Sequence, residues 1–133
     1  MLKIHNVELI AIPEHTDNRG GLSIIENDIL PFKMKRVFYL YDVPQGSFRG
    51  KHAHIEHFTF LIAINGSFDV TLIDTNGNQE VVTLNRPNQG LLIPNMVWHE
   101  LNNFTSGAVC LVLASDVHKE EDYIRDFDEF LKY

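Results

Sequence analysis

The chain has 133 residues, with 11 Lys and Arg against 18 Asp and Glu, for a formal net charge of −7. That length fits one domain able to bury about two-thirds of its unfolded surface. The acidic balance argues against a general binder of nucleic acid or anionic membranes, though not against an anionic small ligand held by a few local arginines.

Cys110 is the one cysteine, which excludes an internal disulfide. Its apolar setting, GAVCLVLAS, predicts a small core side chain, and the free thiol predicts a reducing compartment. The opening MLKIHNVELIAIPEH lacks the apolar run of a signal peptide. No stretch reaches the ~20 apolar residues of a membrane span. A cytoplasmic protein is expected.

In chain order, Leu2 to Ile12 carries alternating apolar residues, and Gly20-Gly21 precedes LSIIE. After Pro31, KMKRVFYLYDV puts Val37, Tyr39 and Tyr41 on one strand face and Phe38 and Leu40 on the other. Asn65-Gly66 divides FTFLIAI from SFDVTLID, and Asn76-Gly77 divides that run from QEVVTL. Asn-Gly supplies the positive φ of a type I′ turn, so both are predicted hairpins. GLLIP, VWHEL and AVCLVLA read as further strands. A helix is expected only over about 120–131, where Tyr123, Phe127 and Phe130 or Leu131 recur at helical spacing. That stripe is expected to pack on the outside of a sheet. Many short strands at near-regular spacing indicate an all-β sandwich or barrel spanning residues 1–133 as one domain.

Seven histidines stand out in so short a chain. His5, His15 and His118 fall near strand ends or loops and read as exposed polar residues. In RGKHAHIEH, His52 and His54 share a strand face, while His57 has the opposite parity and should point away unless a bulge intervenes. VWHEL places His99 on a distant strand that could converge with the pair. Three neutral imidazoles could bind Zn or Fe, move protons, or simply pack.

The order Gly46-x5-His52-x-His54, Gly66, Pro94-x4-His99-x3-Asn103 resembles the two-part pattern of cupins, small jelly-roll barrels with a site in the barrel mouth. Metal-binding cupins carry a Glu ligand four or five positions after the second histidine. Here those positions are Phe58 and Thr59. A longer run of segments, DNRGGL, LPFKMKRVFYLYDV, RGKHAH, NGSFDV, LNRPNQGLLIP, VWHEL, FTSGAVCLVLAS and DYIRDFDEFL, resembles the dTDP-4-keto-6-deoxyglucose 3,4-ketoisomerase family of cupins from about Asp17 to Leu131. The resemblance implies a jelly-roll barrel with a short C-terminal helix. It also implies a metal-independent, cofactor-free isomerase acting on a dTDP-linked 4-keto-6-deoxy sugar. Its product would feed an aminotransferase making 3-amino-3,6-dideoxyhexoses, and the protein would be a homodimer with exchanged N-terminal strands. The family usually has a Tyr where this chain has Val117 or His118.

That reaction needs a base near neutral pKa, a proton donor and oxyanion stabilisation. His is suited to the shuttle. His52 is the first choice as base, with His54 beside it. Arg49 has the wrong parity on a regular strand, but Gly50 permits a bulge that admits it. Tyr39 and Tyr41 offer hydroxyls to the enediolate or phosphate. Arg36, Arg49 and Arg86 are candidate diphosphate partners, with Lys35 and Lys51 less specific. Arg19 and His99 are candidates for biasing the configuration at C4, and within the family such an Arg/His pair resembles the galacto-forming type. Three other classes stay open: a metal-dependent cupin using His52, His54 and His99, a related nucleotide-sugar epimerase, and a non-catalytic sugar-binding module.

Overall fold

Short runs of β-branched and aromatic residues, punctuated by Gly, Pro and Asn, fold into strands that pair without long helices. The computed structural model describes residues 2, 4 and 6–133. The reading of His5 lies outside the described residues. In chain order the strands are β1 (Glu8–Ala11), β2 (Glu14–Asp17), β3 (Gly20–Ser23), β4 (Arg36–Tyr41), β5 (Arg49–His54) and β6 (Thr59–Asn65). Then come β7 (Phe68–Ile73), β8 (Gln79–Leu84), β9 (Gln89–Ile93), β10 (Trp98–Asn102), β11 (Val109–Ala114) and β12 (Tyr123–Ile124), followed by helix α1 (Phe127–Phe130).

Two five-stranded antiparallel sheets, ordered β1-β9-β6-β11-β4 and β12-β5-β10-β7-β8, make an all-β jelly-roll architecture with one short C-terminal helix. The hairpin β2-β3 forms a separate two-stranded sheet, and every residue of both its strands is exposed.

The core is layered. Leu61, Phe68, Val70, Leu91 and Val112 belong to the largest buried cluster, with Phe68 stacked on Phe104 at 5.2 Å. A second cluster, including Phe60, Ile62 and Leu113, is covered by the segment carrying Ile25, Ile29 and Phe32. Strand β6 is therefore buried on both faces, which is why its sequence is a continuous apolar run rather than an alternating one. A third cluster joins Ala53 and Trp98 to Ile124 and Phe130. Cys110 is fully buried, and burial pushes its thiol up to about 12.

Two local expectations need correction. Asn76-Gly77 does join a hairpin, β7-β8, but through a five-residue loop whose backbone N–H groups at Asn76 and Asn78 donate to the Asp74 carboxylate. Asn65-Gly66 makes no hairpin. Strand β6 pairs with β9 and β11, whereas β7 pairs with β8 and β10, so this turn carries the chain from one sheet to the other. The turn signal was sound: Gly66 has φ +68°, and a Cβ there would lie 2.9 Å from Ala108 Cα. Local turn chemistry specifies a reversal, not the partner of the strand that follows. The expected helix over about 120–131 shrinks to Phe127–Phe130, capped by Asp126, whose side chain accepts from the N–H groups of Asp128 and Glu129. Phe127 and Phe130 pack on Trp98, as an outer stripe should, but Tyr123 joins β12.

The irregularity that positions the site lies in β5. Against β10, His52 pairs with His99, but the next pair is Gly50 with Glu100, leaving Lys51 as the extra residue of a bulge. Gly50 and Lys51 both have positive φ, +82° and +61°. A Cβ on Gly50 would meet the His99 carbonyl oxygen at 3.1 Å. Gly50→Ala is therefore expected to cost about 1–2 kcal/mol, ~3–8 °C in Tm. A thermal melt with no shift would contradict the need for glycine here.

Candidate active site

Strand alternation and the β5 bulge place three imidazoles in one cluster between the sheets. His52 lies 4.7 Å from His99 and 5.0 Å from His54, centroid to centroid, and His54 lies 6.0 Å from His99. They line a cavity of about 360 Å³ whose walls include Phe38, Leu40, Thr59 and Leu61. Arg49 also lines it, having been brought to the cavity side by the bulge. His99 Nδ1–H donates to the Val97 carbonyl at 3.2 Å, because a carbonyl can only accept.

Residues not singled out beforehand complete the cluster. Tyr123 places its ring 4.8 Å from His52 and 4.6 Å from His54, and its hydroxyl lies 3.4 Å from His118 Nδ1. Arg125 stacks over the Tyr123 ring at 4.2 Å and reaches the cavity wall. His57 is buried and stacks on His54 at 5.4 Å, because β5 ends at His54 and the turn through Ile55 and Glu56 resets the parity. Asp122 is buried behind both: its Oδ2 lies 3.1 Å from His54 Nδ1 and 3.2 Å from His57 Nδ1. The heptad-like stripe through 120–131 concealed this set, since a helix would have carried Tyr123 outward with Phe127. The signal that could have found it is the alternation of Asp122, Tyr123 and Ile124, which puts Tyr123 on one face and its neighbours on the other.

The other candidates distribute as follows. Arg36 starts β4 with its Nε and Nη2 buried and lacking a hydrogen-bond partner among the described residues, as does the buried Thr59 Oγ1. Both residues pair with Ala114, so Arg36 and Thr59 flank one small side chain. Tyr39 and Tyr41 do not line the histidine cavity. They sit on the opposite face of β4 from Phe38 and Leu40, exposed, with their rings 5.8 Å apart. The hydroxyls that Tyr39 and Tyr41 were expected to offer the enediolate or phosphate thus lie outside the histidine cavity. Both line a second groove with Phe48 and Arg49, which also border the cavity. Arg86 is exposed between β8 and β9, away from both. Lys51 lies over the Phe48 ring at 4.4 Å, and Lys35 is exposed. Arg19 sits at the tip of the β2-β3 hairpin, strongly exposed and paired with Asp17 at 2.6 Å. His15 and His118 are exposed, as read from sequence.

Burial and mutual repulsion keep the cluster neutral. Burial, then the neighbouring His99 and His54, hold His52 down to about 2. Burial, then His99, His57 and the Arg36 charge, hold His54 at about 3. Burial holds His99 at about 4, against a smaller opposing effect of the Val97 carbonyl. Uncharged at neutral pH, these imidazoles each offer a lone pair to a proton or a metal, but burial holds them well below the near-neutral value expected of the base. Their nitrogens lie within 4.8 Å of one another, as do donor atoms of His54, His57 and Asp122. No carboxylate completes the first set at Phe58 or Thr59. Each of the three binds its proton more weakly folded than at the ordinary value of 6.5. Protons thus favour the unfolded chain below that value, and stability is full above about pH 6.5. Tm is expected to be flat from pH 8 to 7 and to fall from pH 6.5 towards 4, with His52→Gln/His99→Gln reducing the slope between pH 6.5 and 5. A slope unchanged by that double substitution would contradict the neutral cluster.

Comparisons with known proteins agree with this geometry. Residues 5–133 match the family described as FdtA, WxcM-like, C-terminal. A TDP-4-oxo-6-deoxy-alpha-D-glucose-3,4-oxoisomerase of Aneurinibacillus thermoaerophilus is 47% identical over 127 residues, covering 95% of this chain and 91% of the relative. The QdtA 3,4-ketoisomerase of Thermoanaerobacterium thermosaccharolyticum, solved with TDP as a Tyr-to-Arg, Arg-to-His double mutant, superposes with a TM-score of 0.94 at 40% identity, covering 97% of this chain and 94% of that one. The WlaRB TDP-quinovose 3,4-ketoisomerase of Campylobacter jejuni gives 0.92 at 43% identity, covering 98% and 100%. This chain therefore belongs to the FdtA-like family of sugar 3,4-ketoisomerases.

Proposed function

We propose that the protein moves the carbonyl of dTDP-4-keto-6-deoxy-D-glucose from C4 to C3. The observation that carries this reading is the cluster of neutral imidazoles in a cavity beside Arg49 and Arg125. Family membership and the activity of the 47% identical relative support it.

Two hydrogens must move. The C4 carbonyl acidifies C3–H; His52 takes that proton, and the C–H electron pair becomes the C3=C4 bond of an enediolate with its charge on O4. Return of the proton to C4, with transfer of the O3 proton to O4, leaves the carbonyl at C3. His54 and Tyr123, both against His52, are the groups placed to handle the oxygen-borne proton. Arg36 has two buried N–H groups without partners, a desolvation cost that a substrate oxygen would offset. Arg49 spans the cavity and the groove of Tyr39 and Tyr41, which gives the nucleotide diphosphate a cationic anchor beside aromatic faces. No redox cofactor is needed, and the chemistry calls for no metal.

The C3 and C4 hydrogens of the gluco ring point to opposite faces. A single base returning its proton to the same face makes O4 axial, the galacto product, and we assign this chain to that outcome on Arg19 and His99. The changed residues of the QdtA double mutant are eighty positions apart, the spacing of Arg19 and His99, and become the same two residue types. A gluco product is the second reading, favoured by the 43% identity to an enzyme named for quinovose, the gluco-configured 6-deoxyhexose. The product of either type would suit a 3-aminotransferase, and a nucleotide-sugar substrate and free buried Cys110 suit the cytoplasm.

Arg19 reaches a site if the hairpin is exchanged between two copies. Among the described residues β2-β3 pairs with no other strand, while β4 is a sheet edge carrying the exposed Val37, Tyr39 and Tyr41. Sedimentation is expected to give a dimer, and a monomer at micromolar concentration would remove Arg19 from any site. For the reaction, NMR of the product should show dTDP-3-keto-6-deoxy-galactose. His52→Asn should lower kcat ~10²-fold or more while dTDP still binds, and chelator dialysis should leave turnover intact. Full turnover by His52→Asn, or loss of turnover on chelation restored by a metal, would contradict the mechanism.

A further inference from the structure

The Asp122 carboxylate is buried, yet it is not left to water or to a lysine. Its Oδ1 accepts from the Glu56 N–H at 2.8 Å, and its Oδ2 accepts from the His57 N–H at 3.3 Å and faces His54 Nδ1 at 3.1 Å. His54 is thus held from two sides, with the carboxylate at one ring nitrogen and the rings of His52 and His99 on the cavity side. Three backbone and side-chain partners converge on one carboxylate contributed by a segment 65 or more residues away in sequence from the turn it grips.

We propose that Asp122 is a positioning residue. It fixes His54 as the Nδ1–H tautomer and so presents Nε2 as the unprotonated nitrogen open to substrate. The inference rests on the reading of His54 as a proton carrier. A carboxylate can only accept, so the facing ring nitrogen must donate, and in a neutral imidazole the other nitrogen is then the acceptor. The buried carboxylate also stabilises the cation that forms when His54 holds a proton in transit, in surroundings where His52, His99, His57, Arg36 and Arg125 all disfavour charge on it. His57 Nδ1 lies 3.2 Å from the same oxygen, and its Nε2 lies 3.7 Å from Asp116. It packs the carboxylate in place and keeps it from turning out of line with His54.

Asp122→Asn tests this without changing volume. Both carboxylate oxygens accept a backbone N–H, and the shorter bond, 2.8 Å from Glu56 against 3.3 Å from His57, sets the amide carbonyl at the Oδ1 position. The NH2 group then faces His54 Nδ1 and forces that nitrogen to accept. Ring 15N NMR of the wild-type protein at neutral pH is expected to show His54 as Nδ1–H, and the variant as Nε2–H. The variant should lose ~50-fold or more in kcat with KM within ~3-fold, a split that loosened packing would not produce. Full kcat in Asp122→Asn would overturn the proposal. So would an Nε2–H tautomer at His54 in the wild type, and that measurement decides the matter even if the variant does not fold. His54→Asn separates the two levels. If it keeps turnover, the proton-carrier reading of His54 fails whatever its tautomer. If it loses turnover while Asp122→Asn does not, only the positioning role fails.

Discussion

Putting several imidazoles into one largely buried cluster leaves them a single economical state, the uncharged one. Burial disfavours a proton on all three rings, and neighbouring imidazoles add to this at His52 and His54. The rest of the site follows from that constraint. Neutral imidazoles need oriented partners rather than counter-ions, and the structure supplies the Val97 carbonyl for His99 and the Asp122 carboxylate for His54. Arg49 and Arg125 line the cavity, and the charges of Arg36 and Arg125 oppose protonation of His54.

The scaffold delivers this arrangement through departures from regularity. A regular β5 would set Arg49 against the parity of His52; the extra Lys51 corrects it, and Gly50 makes the necessary backbone geometry accessible. The chain end contributes two short strand residues instead of another helical turn, so Tyr123 enters the cavity while Ile124 joins the outer cluster. Rigid packing lies elsewhere, in the doubly covered β6 and in the Phe68–Phe104 stack.

Strand parity made His52 and His54 legible as a same-face pair, and the Gly50 bulge was legible as a possibility because only glycine tolerates such backbone freely. The separation of Phe38 and Leu40 from Tyr39 and Tyr41 was equally visible, but not which of the two faces turned towards the histidines. His57 and Asp122 were hidden for different reasons. His57 depends on where a strand stops, and Asp122 lies in a segment whose aromatic spacing imitated a helix. Asn65-Gly66 shows the limit most plainly: its glycine is required by conformation and crowding, yet the strands it joins belong to different sheets. Non-local pairing is set by burial across the whole barrel, which no six-residue window contains.

The most direct measurement is a ring 15N NMR titration of the free protein between pH 8 and 5. The account predicts that His52, His54 and His99 keep the shifts of neutral imidazole throughout. An imidazolium signal from any of the three buried rings at pH 7 would contradict it.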